Sequence, residues 1–155
     1  MKRIQDTRTL EFRNAVEKIG EYVKDFIGSK PLFTEQPNSS FPLARTQITQ
    51  TGITMDVIAA LLPGKTIPDV VFALGVCHLP KEKLVAFFRQ LLIWNNIETD
   101  VAHFAINDQT GMVLMLSVRP FEGFDYSEFK HAVQMMSTLA MKYILILNRQ
   151  FGVTS

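Results

Sequence analysis

VAHFAINDQTGMVLMLSVRP, residues 101–120, decides the fold of this chain. Val101 to Ile106 and Met112 to Arg119 mix β-branched, aromatic and long aliphatic residues, the composition of strands. Between them Asn107-Asp108-Gln109-Thr110-Gly111 is a polar, glycine-closed loop, so the two runs are predicted to fold back as a hairpin. Pro120 ends the second strand, because proline has no N–H to give a ladder. A hairpin makes neighbouring strands antiparallel, and the rest of the chain has to fit that frame.

Upstream, Pro80 stands where an N1 proline belongs, and Lys81 to Asn95 has helical periodicity. Leu84, Val85, Phe87, Phe88, Leu91, Leu92 and Trp94 cover well over half of that helix, more than one stripe against one sheet needs. Asn95 and Asn96 suit its C-terminus. Before it, DVVFALGVCH (69–78) reads as a strand buried on both faces. Earlier still, Ala44, Thr46, Ile48 and Gln50 alternate with their neighbours, and Gly52 interrupts. The apolar run Ile53 to Leu62 then ends at Pro63-Gly64 and Pro68.

Residues 29–43 hold Pro31, Pro37 and Pro42 with Ser39 and Ser40, an exposed connection that Phe33 and Phe41 are expected to pin. The first helix is marked by Phe12, Val16, Ile19, Val23, Phe26 and Ile27, closed by Gly28, with Asp6 or Thr9 as its N-cap. At the other end Asp125 and Glu128 form a D-x-x-E start to the last helix. Phe129, Val133, Met136, Ala140, Tyr143, Ile144 and Leu147 run down one face of it.

The order is thus α-β-β(-β)-α-β-β-α. It predicts an α+β fold, an antiparallel sheet of about five strands flanked by helices mainly on one side. One domain is expected, with an N-terminal helix over 1–28, the proline-rich loop over 29–43, and sheet and helices over 44–155.

The 155 residues are 47% hydrophobic and 20% charged, a globular balance. Sixteen Lys+Arg face fifteen Asp+Glu, which leaves no basic excess to grip nucleic acid. No apolar run approaches the roughly 20 residues of a membrane span, and MKRIQDTRTLEFR has no apolar core of a secretory signal. Cys77 is the single cysteine, so an intrachain disulfide is excluded and a reducing, cytoplasmic setting is expected.

The chemistry-bearing residues do not converge. Pro63-Gly64-Lys65-Thr66 echoes the end of a phosphate loop, but Ala59 stands where that motif needs glycine and Pro68 denies the following helix. It is a turn. Cys77 and His78 are adjacent in a strand and point to opposite faces, while His103 and His131 lie on other elements, so neither a metal site nor a Cys–His pair is expected. Glu98, Asp100, Asp108, Glu122 and Asp125 read as turn charges and caps. No cofactor, metal or catalytic residue is assigned. Two helices with surplus apolar surface imply a subunit interface instead, and a homodimer is the expected sink.

From Thr54 to Gly152 the chain resembles the superfamily uniting CesT-type, type III secretion chaperones with YbjN-like proteins. The resemblance lies in MDVIAALLPGKTIPDVVFALGV, in the helix closing LLIWNN, in the hairpin quoted above and in FEGFDYSEF before the last helix. It implies a sheet of about five strands flanked by helices, usually dimeric, and action by binding protein rather than by catalysis. Phe88, Leu91, Leu92 and Trp94 are the expected dimer or partner surface. The expected function is a non-enzymatic, chaperone-like or adaptor-like module with a protein partner, no nucleic acid and no membrane. The alternatives are a small-molecule regulator with a pocket near Met136 and Tyr143, or an enzyme of unrecognised type.

Overall fold

The computed structural model of the protein describes residues 2–36, 39–97 and 101–153. Along the chain run α1 (Lys2–Ile27), β1 (Thr34–Glu35), β2 (Leu43–Gln50), β3 (Ile53–Ala60) and β4 (Asp69–His78). Then come α2 (Leu84–Ile97), β5 (His103–Asn107), β6 (Met112–Pro120) and α3 (Tyr126–Phe151). The strands form one antiparallel sheet in the order β1-β2-β3-β4-β6-β5. The predicted hairpin is β5–β6, with His103 opposite Leu116 and Asn107 opposite Met112. β4 lies between β3 and β6, which accounts for its near-continuous apolar sequence.

Side chains alternate across the sheet, and the helices cover one side of it. Val57, Phe72, Leu74, Val113 and Met115 point to that side and are buried. Between Gly75 and Cys77 the β4–β6 register slips. A bulge sets two consecutive residues against one partner, so Val76 and Cys77 are both buried and His78 is exposed.

α1 buries Phe12, Ala15, Ile19, Tyr22 and Val23, a helical stripe. Its Tyr22 donates to the Phe124 carbonyl at 3.2 Å and joins the rings of Phe124, Tyr126 and Phe129. α3 buries Phe129, Val133, Met136, Ala140, Tyr143 and Leu147, as its periodicity predicts. α2 packs on β5 and on the C-terminal half of α3. Phe87 meets Phe151 edge-on at 5.1 Å, and Trp94 lies 4.5 Å from Tyr143 and 5.7 Å from Phe104. Full burial of side chains this size stabilises the fold by about 1.5–3 kcal/mol each.

The ends of α3 follow its sequence. The Asp125 carboxylate accepts from the Glu128 N–H at 2.8 Å, and the Glu128 carboxylate accepts from the Asp125 N–H at 3.4 Å, a full capping box. Gly152 closes the helix at φ 66, in the left-handed region open to glycine.

The sheet differs from expectation in having six strands. The added strand is Thr34–Glu35, inside the proline-rich loop, where it pairs with Arg45 and Ala44. Phe33 packs on the core beside Gly20. α1 begins at Lys2, ahead of both candidate caps, through a lysine- and arginine-rich stretch with good helix propensity. α2 begins at Leu84 rather than beside Pro80. Lys83 takes φ 59, a left-handed turn that no α-helix interior admits, and its carbonyl accepts the Phe87 N–H at 3.0 Å.

Candidate functional site

The four residues expected to form a binding surface divide. Phe87, Leu91 and Trp94 share one side of α2, spaced four and three apart, and that side faces the core. Leu91 is 4% exposed and Trp94 8% exposed, so both are core residues of this chain and cannot offer surface to a partner. Phe88 is half-buried and meets Phe87 edge-on. Leu92 is 68% exposed. At about 100° per residue it lies about 140° around the helix from Phe87.

The outward side of α2 is apolar too. Val85 is 84% exposed and Ile97 66%, with Leu84 and Ile93 also open to solvent. Leaving such side chains in water forgoes the gain of burial, and contiguous groups of them mark contact surfaces. A groove of about 760 Å³ lies along this helix, lined by Val85, Ala86, Ile93 and Phe151 together with Lys83 and Arg89. α2 itself carries no carboxylate. The sequence signal for the outward row was present in Val85 and Leu92, seven residues apart.

A second apolar area lies on the uncovered side of the sheet. Met112, Leu114, Leu116 and Val118 of β6 stand beside Val71 and Ala73 of β4. The β6 residues and Val71 are half-buried or exposed, and they belong neither to the core nor to the residues packed against it. Toward β2 and β3 the same side turns polar, with Gln47 donating to Asp56 at 2.8 Å and Arg45 3.7 Å from Asp56.

The candidate chemical groups remain apart. His78, His103 and His131 are exposed on three different elements. Cys77 is buried, and burial pushes its thiol up to about 11, which keeps it protonated and unreactive near neutrality. Among the described residues no three His, Cys, Asp or Glu side chains gather as metal ligands. Asp125 and Glu128 are committed to the cap, Asp108 and Glu122 are exposed, and Glu98 and Asp100 lie outside the described residues. Lys65 bonds Asp69 at 2.7 Å, and the Leu62 carbonyl accepts the Lys65 N–H across Pro63-Gly64. That segment is a Pro-Gly turn with its lysine already engaged. Met136 and Tyr143, named for a ligand pocket, are filled core positions. Among the described residues no helix is long and apolar enough to cross a membrane.

The architecture is α+β, a six-stranded antiparallel sheet with helices flanking it. A particular solved structure shares it. A chain in the crystal structure of the ExsC–ExsE complex matches with a TM-score of 0.53 over 87% of this chain and 94% of that one, at 17% identity. At that identity the likeness is one of fold. No protein family's sequence profile matches the chain, and no curated protein is similar to it.

Proposed function

We propose that this chain is a non-enzymatic, chaperone-like or adaptor-like protein-binding module that works in the cytoplasm as a homodimer. The outward side of α2 is the surface through which it meets a second copy or a partner. One observation carries the reading: Val85, Leu92 and Ile97 stand in water on a helix whose other side is already fully used by the core. Burying each in an interface would contribute about 1.5–3 kcal/mol, the driving force of association. The scattered histidines, the protonated thiol and the carboxylate committed to a cap support the non-enzymatic part. The solved structure that shares the fold is, by its title, a complex of two proteins.

The test compares the unmodified chain with Leu92→Glu, whose side chain lies outside the core. Sedimentation velocity at micromolar concentration is expected to show a dimer for the first and a monomer for the second. Far-UV circular dichroism should be the same for both. A tagged pull-down from lysate is expected to retain stoichiometric partners that the variant loses. A strict monomer that recovers only itself would overturn the proposal.

A further inference from the structure

The sheet has two edges, and a free edge is a row of unpaired backbone groups on which a strand of another molecule can add. On one side β1, only two residues long, covers β2 at Ala44 and Arg45 and leaves Thr46 to Gln50 as edge. On the other the edge is β5, five residues long. Register with β6 sets which of its groups point outward, because alternate residues of an antiparallel strand face the partner. Phe104 and Ile106 face away.

At Phe104 a single side chain takes both outward groups. The Phe104 N–H donates to Asn95 Oδ1 at 2.5 Å, and Asn95 Nδ2 donates to the Phe104 carbonyl at 3.1 Å. A primary amide so placed presents the donor and acceptor that a paired strand residue would present. Asn95 is held there by its place in the last turn of α2, beside Trp94, whose ring packs 5.7 Å from that of Phe104. Asparagine is a poor helix former, so the residue does nothing for α2 that alanine would not do better. The outward groups of Ile106 bond to none of the described residues.

We propose that Asn95 guards the edge of the sheet: while its amide occupies Phe104, no extended segment can add to β5. A docking strand needs successive outward residues, and with Phe104 taken only Ile106 is left to pair. The β5 edge therefore stays closed to strand addition, including by a second copy of β5. This does not depend on which partner, if any, the outward side of α2 takes.

The experiment removes the amide with Asn95→Ala and follows the folded protein by sedimentation velocity and amide hydrogen exchange. Larger, concentration-dependent species are expected, with Ile106 N–H exchange slowed by about tenfold or more as the edge pairs. Adding Ile106→Pro should reverse the association, since it deletes an outward donor and no bond to β6. A folded Asn95→Ala protein with an unchanged oligomeric state would overturn the proposal, and so would association that survives Ile106→Pro. In the unmodified protein the Phe104 amide should exchange about tenfold or more slowly than that of Ile106. Equal rates would overturn the proposal however the variants behave.

Discussion

Trp94 and Leu92 stand two residues apart on one helix, and substituting each by alanine should have opposite consequences. Trp94 is buried against Tyr143 and Phe104, so Trp94→Ala removes its burial, leaves a cavity and ends two ring contacts. Truncating a buried aromatic side chain costs about 3–5 kcal/mol. A folded domain has about 5–15 kcal/mol in total, so a variant near 4 kcal/mol keeps the fold with little in reserve. With a urea slope of about 2 kcal/mol/M the midpoint should fall by about 2 M. Leu92→Ala changes a mostly exposed residue, and in the monomer it should cost no more than about 0.5 kcal/mol. The protein has one tryptophan, so fluorescence is lost in the first variant, and far-UV circular dichroism is the assay that reads both. Measuring at two protein concentrations separates the levels: a midpoint for unmodified protein that rises with concentration, and no longer does so in Leu92→Ala, locates Leu92 in a dimer interface. A loss under about 1 kcal/mol for Trp94→Ala would refute the inward placement of Trp94.

Three further outcomes follow from local geometry. Thr51 holds φ 51 in the β2–β3 turn, where a β-branched residue is strained, so Thr51→Asn should stabilise by about 1 kcal/mol. In a thermal melt that is a rise of about 2–4 °C, and a fall would count against the strain. Asp125→Ala should cost about 1 kcal/mol in urea unfolding, because it removes the carboxylate that accepts the Glu128 N–H and leaves only the backbone half of the capping box. Cys77 should ignore a thiol reagent at pH 8 in the folded protein and react once unfolded. Its folded thiol titrates near 11 rather than 9.0, so the unfolded chain gives up its proton first, and stability should decline as pH rises from 9.0 to about 11. Rapid labelling of the native protein would refute the burial.

The hairpin over 101–120 was legible because twenty consecutive residues carry strand composition, a polar loop and a closing glycine together. The last helix was legible for a similar reason, its cap and stripe lying within one segment. β1 was not. Thr34 and Glu35 are both exposed and polar, and their strand character comes from backbone pairing with Arg45 and Ala44 rather than from any pattern of their own. The start of α2 was hidden by a left-handed Lys83, a conformation that lysine does not advertise.

The way α2 is turned was only half legible, and the reason bears on the proposed surface. An apolar helix with two usable rows has two ways of being turned, and local periodicity cannot choose between them. The choice is made by Tyr143, Phe104 and Phe151, distant in sequence, which form the hollow that Phe87 and Trp94 fill. Once those large rings go inward, Val85 and Leu92 have to point out, and Ile97 is left open at the end of the helix. An ordinary surface helix would carry charge there, since polar residues on that side improve solubility at no cost to the core. Arg89 is the only charged residue in α2, so the outward side gives up that solubility for apolar area. The same residues that would be a liability in an isolated chain become an asset when a second protein covers them, and this is the physical case for a protein that works by contact.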